Sequence, residues 1–183
     1  MDVICISGKA GSGKDTVADF LKDILESREK SVVIFHYADL LKFICSKYFG
    51  WDGKKDEQGR TLLQYVGTDV VRKKYPGFWV SFFNDFIELF YDQWDYIIVP
   101  DCRFPNEIWG VLVPDGKKDY KGVYKLRIER PGYDNGLTEE QKQHPSETSL
   151  DNETFDYTII NEGDGYGKLY AEVLKYAEEQ LHV

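Results

Sequence analysis

Short apolar runs alternate with helical patterns along the chain. Five runs have the length and the apolar content of strands: residues 3–6, 32–35, 96–99, 123–128 and 157–160. Runs of this kind, bounded by turn residues, are typical of strands that are buried on both faces. The alternation of strands and helices predicts an α/β fold in which helices cover both faces of a five-stranded, mostly parallel sheet.

Between these runs, apolar residues recur every three or four positions, which predicts helices. The predicted helices cover residues 14–27, 40–48, 62–70, 79–90 and 166–181. Residues 50–59 are polar and contain three glycines, so we expect a loop there.

Two polar segments do not fit this alternation. Residues 131–153 contain two prolines and two glycines, and a connection of that length in a compact domain is usually functional. We therefore predict one domain over residues 1–183, with a lid-like insert at about residues 131–153. Residues 114–120 are interpreted as a local insertion or a hairpin.

The charge of the chain limits its partners. The sequence has 32 acidic and 23 basic residues, a net charge of −9. Proteins that neutralise nucleic-acid phosphates normally have a basic face, so we predict no nucleic-acid partner. The acidic excess lies in residues 134–183, with 12 acidic and 3 basic side chains, whereas residues 1–133 have 20 of each. Residues 1–133 therefore have basic side chains available to bind a small anionic ligand.

Targeting and redox features are sparse. No apolar run reaches the length of about 18 residues that a membrane-spanning helix needs, and no basic segment precedes residues 3–6, so we predict neither a membrane partner nor a signal peptide. Cys5, Cys45 and Cys102 lack the spacing of a zinc site or a disulfide framework. We expect a cytoplasmic protein with reduced cysteines.

The strongest chemical signal is a glycine-rich loop. Residues 8–14 read Gly-Lys-Ala-Gly-Ser-Gly-Lys and fit the phosphate-loop pattern between the first strand and the first helix. Glycines let the backbone curl around a phosphate, the helix N-terminus adds partial positive charge, and Lys14 adds a full charge. The residues predicted to bind the nucleotide are Gly8, Gly11, Ser12, Gly13, Lys14, Asp15 and Thr16.

The motif departs from its usual form after the lysine. A Ser or Thr that reaches Mg²⁺ normally follows, but here Asp15 comes first and then Thr16. Asp15 could hold Mg²⁺ through water, or it could lie at the helix start, where a carboxylate is favoured. Thr16 could supply the hydroxyl one position later. The sequence leaves these alternatives open.

Several arginines follow predicted strands or bracket a predicted helix. They are Arg60, Arg72, Arg103, Arg127 and Arg130. Ligands of open α/β sheets bind at the carboxyl ends of the strands, and the guanidinium fork suits phosphate oxygens. Asp101 lies close behind the third strand, where it could orient Mg²⁺ through water, contact substrate, or only pair with Arg103.

Two further features allow more than one interpretation. Trp79 could border a nucleobase, although aromatic residues at helical spacing more often belong to the core. Glu147 closes the sequence His-Pro-Ser-Glu inside the predicted insert, where a positioning role in a lid is one alternative.

Six segments together carry a resemblance to a known family. They are residues 8–16, 37–42, 60–72, 101–107, 144–147 and 156–161. These segments resemble the phage-type deoxynucleoside monophosphate kinases, a branch of the phosphate-loop NMP kinases. The Gly-Lys-Asp-Thr ending of the phosphate loop also resembles that family.

The resemblance implies a three-layer phosphate-loop kinase fold and the transfer of the ATP γ-phosphoryl group to a deoxynucleoside monophosphate (dNMP). It implies that Lys14, Arg103 and Arg130 are catalytic, with Arg130 closing over the transferring group. The residues implied for the acceptor are Asp39, Lys42, Arg60, Gln64, Arg72, Trp79, Asp101, Arg103 and Glu147. Asn161 and Gly163 would lie beneath the adenine, and Thr16 and Asp101 would serve the Mg²⁺ shell.

Other functions share parts of this pattern. Another small-molecule kinase, of the dephospho-coenzyme A or phosphomevalonate type, could have the same loop and sheet. A nucleotide-binding switch NTPase would need no acceptor at all, and its hydrolysis would not respond to an added monophosphate. Small nucleotides are the expected partners in the kinase interpretation, and a homodimer is a possible assembly.

Overall fold

Five parallel strands form one sheet in the computed structural model, which describes residues 1–112 and 122–183. In chain order they are β1 (Asp2–Ser7), β2 (Val32–Ile34), β3 (Tyr96–Cys102), β4 (Val123–Glu129) and β5 (Tyr157–Ile160). Their order in the sheet is β2-β3-β1-β4-β5, and every pairing is parallel. The predicted five-stranded parallel sheet is confirmed. The insertion or hairpin predicted at residues 114–120 lies outside the described residues.

The central strand, β1, is buried along its whole length. It pairs with β3 on one side and with β4 on the other, so that Ile4 aligns with both Ile98 and Tyr124. A strand in this position needs apolar side chains on both faces, which explains the continuous apolar run. β3 continues past Pro100, where we expected it to end, because its register with β1 shifts there and accommodates the missing N–H.

Eight helices lie in the described residues. They are α1 (Lys14–Ser27), α2 (Tyr37–Tyr48), α3 (Glu57–Gln64), α4 (Phe78–Phe90), α5 (Asn106–Trp109), α6 (Glu139–Gln143), α7 (Pro145–Thr148) and α8 (Tyr166–Tyr176). α3 and α8 continue as wider π-type turns over Tyr65–Arg72 and Ala177–Leu181. Within residues 1–112 and 122–183, none of the helices has the length and hydropathy that crossing a membrane would require.

Helices cover both faces of the sheet, as the sequence predicts. Alternate side chains of a strand point to opposite faces, so Ile4 and Ile6 of β1 pack with α1 and α8, whereas Val3 and Cys5 pack with α4. Each face has its own apolar cluster, and Phe83 of α4 is fully buried in the second one. The three-layer architecture is therefore confirmed, with the sheet as the middle layer.

One local prediction differs from the structure, and the predicted insert has helices of its own. The expected loop over residues 50–59 ends earlier, because the Asp56 carboxylate accepts a hydrogen bond from the Gly59 N–H (2.9 Å) and starts α3. The predicted insert, residues 131–153, contains α6 and α7, and Thr138 begins α6 with a reciprocal hydrogen-bonded cap to Gln141. The insert is thus folded against the carboxyl edge of the sheet, where Lys9 contacts it.

Candidate active site

The phosphate loop connects β1 to α1 and is tightly packed. A Cβ at Gly8 would lie 2.4 Å from the Ile128 carbonyl oxygen, and one at Gly13 would lie 2.7 Å from Nδ2 of Asn161. Gly13 also has a φ of 101°, which other residues rarely adopt. Asn161 donates a hydrogen bond to the Ser12 carbonyl (2.9 Å), so the loop after β5 supports the phosphate loop directly.

Lys14 is buried at the start of α1. Its Nζ donates to the carbonyl oxygens of Gly8 (2.8 Å) and Lys9 (2.9 Å), and so it lies across the loop. Burial, followed by repulsion from the Arg103 guanidinium, lowers the pKa of Lys14 to about 7. The site therefore favours any ligand whose negative charge would stabilise the ammonium form.

A cavity of about 480 Å³ lies over this loop, between β3, α2, α3 and the insert. Most of the residues implied for the acceptor line it, together with part of the phosphate loop. The predicted residues along its wall are Gly11, Lys14, Asp15, Lys42, Arg60, Gln64, Arg72, Trp79, Asp101, Arg103 and Glu147. The cavity therefore brings together residues that are up to 136 positions apart in the sequence.

Arg103 and Glu147 form an ion pair at the edge of the phosphate loop. Nη1 of Arg103 contacts the Glu147 carboxylate and also donates to the Ser146 carbonyl (3.3 Å). The second oxygen of Glu147 accepts from the Ala10 N–H of the loop (3.0 Å). This carboxylate is almost completely buried, so its negative charge is stable there only because Arg103 and the Ala10 N–H contact it.

Arg72 lines the same cavity but is already held by other residues. Its Nη1 donates to Asn106 (2.9 Å), its Nη2 pairs with Glu107, and its guanidinium lies 3.8 Å from the centre of the Phe104 ring. Burial raises the pKa of Glu107 to about 7, and Arg72 opposes that rise. A contact between Arg72 and an acceptor phosphate would therefore need Nε or an exchange of these bonds.

Asp101 joins the end of β3 to the start of α2. Its two oxygens accept from the N–H groups of Tyr37 (3.0 Å) and Ala38 (2.9 Å), so it caps a helix that is distant in sequence. Burial raises the pKa of Asp101, and these hydrogen bonds oppose that rise. Asp101 does not pair with Arg103 in the ion pairs of the described chain.

His36 is a site residue that the sequence reasoning missed. Its Nε2 lies 3.5 Å from Asp15 and its Nδ1 lies 3.7 Å from Asp39. The contact with Asp15 raises the pKa of His36 and lowers the pKa of Asp15. The available signal was its position directly after the second apolar run, at the carboxyl edge of the sheet.

The predicted magnesium residues are not equivalent. Asp15 lines the cavity and its side chain is 75% exposed, so its oxygens are accessible to a hard cation. Thr16 lies in the same turn of α1 but does not border the cavity. The residues therefore fit Mg²⁺ bound mainly through Asp15 and nucleotide phosphates, which is the usual way Mg²⁺ is held.

Arg130 lies on the other side of the phosphate loop from the cavity. It donates to the Gly11 carbonyl (3.2 Å), and its guanidinium is 3.9 Å from the centre of the Tyr133 ring. It does not line the cavity that contains Lys14 and Arg103. The cause is the sheet order, because β4 lies on the opposite side of β1 from β3. Arg130 thus lies beside Gly163, and its closure over the transferring group stays a prediction.

The remaining predicted residues lie around the cavity and not along its wall. Gly8, Ser12 and Gly13 belong to the phosphate loop, and Asp39 is exposed and accepts from Lys42 (2.8 Å). Trp79 belongs to the apolar cluster, as its core interpretation predicts, and it also borders the cavity. The additional wall residues that sequence reasoning missed include Leu41, Leu63, Gly67, Thr68 and Phe104.

A parallel sheet with a phosphate loop after its central strand is the architecture of phosphate-loop nucleotide-binding proteins, and in this chain Arg103 lies beside that loop. A protein of Acanthamoeba polyphaga mimivirus, provisionally named a deoxynucleotide monophosphate kinase, is 31% identical over 188 residues, covering 88% of this chain and 89% of that protein. The chain belongs to the deoxynucleotide monophosphate kinase family.

Other comparisons are more distant. The deoxynucleotide monophosphate kinase of Enterobacteria phage T4 is 29% identical over 106 residues, which cover 57% of this chain and 39% of that protein. The solved structure of Mycobacterium tuberculosis APS kinase CysC with AMPPNP and APS has a TM-score of 0.48 and 12% identity, and covers 97% of this chain and 98% of that one. No protein-family model matches the chain.

Proposed function

We propose that the protein transfers the γ-phosphoryl group of ATP to a dNMP, giving ADP and the deoxynucleoside diphosphate. One observation carries this proposal: a single cavity joins Lys14 of the phosphate loop to Arg103 at the end of β3. A second cation facing the same space is expected where a second phosphate must be held.

The chemistry requires positioning and charge more than covalent help. Lys14 and the N–H groups of the phosphate loop would hold the β and γ phosphates of ATP. Within the described chain, Nε and Nη2 of Arg103 have no hydrogen-bond partner, and they would bind the acceptor phosphate or the transferring group. Enclosure by the insert would keep water away, so that the phosphoryl group passes to the monophosphate.

The acceptor nucleoside would occupy the outer part of the cavity. Leu63, Gly67 and Trp79 give this part an apolar wall suited to a base, and the Trp79 ring is fixed by a hydrogen bond to the Gly67 carbonyl (3.1 Å). Lys42, Arg60 and Gln64 supply polar groups along its rim. Arg72 would act here mainly by holding Phe104 and Glu107 in place.

Mg²⁺ would neutralise charge on the β and γ phosphates when it is bound. Asp15 would hold it directly or through water, and Thr16 could add its hydroxyl from the same helical turn. Asp101 already accepts two backbone hydrogen bonds, so its part in the shell would be through water. The cytoplasmic location and the homodimer stay predictions.

The proposal is tested by release of ADP in a coupled assay across a panel of dNMPs. We expect at least one dNMP to raise ADP formation well above the rate with ATP alone. Arg103→Ala should lower kcat/KM for that dNMP by about 100-fold, which corresponds to about 2.7 kcal/mol. Slow ATP hydrolysis that no dNMP stimulates would contradict the proposal and favour a nucleotide-binding switch.

The panel also includes dephospho-coenzyme A and phosphomevalonate. Stimulation of ADP release by either of these compounds, and not by a dNMP, would indicate one of the other small-molecule kinases. Lys125→Ala is a matched control for Arg103→Ala, since Lys125 pairs with Asp156 away from the cavity. We expect that control to keep its dNMP-dependent rate.

A further inference from the structure

One turn of the insert contacts both halves of the site. This turn, α7, holds Ser146 and Glu147, and both residues border the cavity. Its contacts reach the phosphate loop on one side and the acceptor residues on the other. It is a short segment of the insert that meets both proposed nucleotide sites.

The donor side of this contact involves two consecutive residues of the phosphate loop. Glu147 accepts from the Ala10 N–H through its carboxylate (3.0 Å) and from Nζ of Lys9 through its backbone carbonyl (2.6 Å). Lys9 also pairs with Asp151 of the insert (2.5 Å). A shift of α7 would therefore be transmitted to the loop that holds the ATP phosphates.

The acceptor side involves Arg103 and Gln64. Arg103 binds both the Glu147 carboxylate and the Ser146 carbonyl through Nη1, and Gln64 donates to the Ser146 hydroxyl (3.4 Å). These bonds use one nitrogen of the guanidinium. The contact with Glu147 therefore fixes the plane of Arg103 and leaves other N–H groups to face a phosphate.

We propose that Glu147 is a positioning residue that couples the donor and acceptor sites, by holding Arg103 at a fixed place relative to the phosphate loop. This inference rests on the proposed kinase function. Its basis is that one buried carboxylate bridges the Ala10 N–H and the Arg103 guanidinium. Binding of either nucleotide would then order the bridge for the other, which is a coupling free energy between the two sites.

The negative charge of Glu147 distinguishes this role from substrate binding. Beside two anionic nucleotides, a carboxylate adds repulsion to the bound state. Removing it should therefore not weaken ATP binding by itself, whereas it should release Arg103. A residue that only bound substrate would show the opposite pattern, with weaker binding and an unchanged turnover.

The test compares Glu147→Ala, Glu147→Gln and the control Glu140→Gln. Glu140 is exposed on α6 of the same insert and has no polar contact in the described chain. Each variant is measured for kcat and KM, and for the affinity of a non-hydrolysable ATP analogue with and without dNMP by calorimetry. Thermal unfolding of each variant shows whether it is folded at the assay temperature.

We expect dNMP to tighten binding of the ATP analogue by at least fivefold in the unmodified protein, and Glu147→Ala to bring this ratio close to one. The kcat of Glu147→Ala should fall at least tenfold, while the affinity for the analogue alone changes less than threefold. The side chain of Glu147→Gln has one accepting oxygen, so it can accept a hydrogen bond from Arg103 but not from the Ala10 N–H at the same time. Its kcat should therefore lie between the values of the unmodified protein and of Glu147→Ala. Glu140→Gln should match the unmodified protein.

Three outcomes would overturn the inference. The first is that dNMP does not change the affinity of the active unmodified protein for the ATP analogue. The second is that Glu147→Ala changes neither this effect of dNMP nor kcat. The third is that Glu147→Ala binds the analogue more tightly and keeps an unchanged kcat. If Glu147→Ala is unfolded, Glu147→Gln alone decides between these outcomes. Absence of any dNMP-stimulated ADP release in the unmodified protein would instead contradict the proposed function, so the two failures are distinguishable.

Discussion

A single buried ammonium group determines much of the electrostatics at the residue scale. Lys14 lies across the phosphate loop, with its Nζ on two carbonyl oxygens and the Arg103 guanidinium nearby. Both burial and that neighbour lower its pKa to about 7. Nucleotide phosphates would supply the negative charge that the free site lacks, so the charge of Lys14 is linked to binding.

This linkage predicts proton uptake when ATP binds. At pH 8, above the pKa of about 7, most Lys14 side chains in the free protein are neutral. Phosphates that raise this pKa should therefore draw up to about one proton from the buffer. Calorimetry in two buffers with different ionisation enthalpies measures the uptake, and Lys14→Met should remove it. Equal uptake by Lys14→Met would show that another group titrates.

The sequence indicates candidate residues of the site, but it does not indicate the distant residues that they contact. Lys14 belongs to a motif with a fixed backbone setting, and Arg103 closely follows a buried strand. The bridge made by Glu147 joins Ala10 and Arg103, which are 137 and 44 positions away. No periodicity records such a contact, because the fold alone brings these segments together.

At the element scale, the attachment of α2 to the sheet depends on Asp101. Its carboxylate caps α2 across 63 and 64 positions of sequence, at Ala38 and Tyr37. α2 also lines the cavity through Lys42. A residue that sequence reasoning assigned to the magnesium shell thus has a role in stability that requires neither nucleotide nor metal.

Asp101→Ala should therefore destabilise the protein by about 2 kcal/mol, because it leaves two backbone N–H groups without their acceptor. Urea unfolding without nucleotide and without Mg²⁺ measures this change. Asp19→Ala is the control, since Asp19 is exposed on α1 and should shift stability by less than about 0.5 kcal/mol. Loss of activity with unchanged stability would contradict this role in stability and assign Asp101 to metal or substrate binding.

The strands were predictable because each is a short apolar run, and the two strands at the middle of the sheet, β1 and β3, are buried along almost their whole length. β5 has the predicted bounds, and β1 and β4 extend their predicted runs by one residue at one or both ends. The start of α3 was not predictable from periodicity, since a side-chain cap at Asp56 sets it inside a polar segment. Local polar contacts decided the boundaries where apolar patterning gave no signal.

At the scale of the whole molecule, the sheet order separates two sides of the phosphate loop. β3 and β2 lie on one side of β1 and support the cavity, whereas β4 and β5 lie on the other and support Arg130 and Asn161. Strand order is not contained in the pattern of apolar runs. The apolar runs alone therefore do not show on which side of the phosphate loop Arg130 lies.

Arg130 should consequently affect the donor nucleotide and not the acceptor. We expect Arg130→Ala to raise KM for ATP by about tenfold, or about 1.4 kcal/mol, with less than a twofold change in KM for dNMP. Arg103 lies on the other side of the loop, so Arg103→Ala should raise KM for dNMP more than KM for ATP. Steady-state kinetics with each substrate varied in turn compares them, and a fall in kcat alone for Arg130→Ala would support its closure over the transferring group.

The three cysteines give the fold a further property. Cys5 in β1 and Cys102 in β3 lie on neighbouring strands, Cys45 lies in α2, and all three are free and buried. An alkylating reagent can reach the first two only when the middle of the sheet opens, whereas detachment of α2 is enough for the third. The alkylation rates of Cys5 and Cys102 thus report how often the sheet opens, and the rate of Cys45 reports how often α2 detaches. No added label is needed to measure either motion.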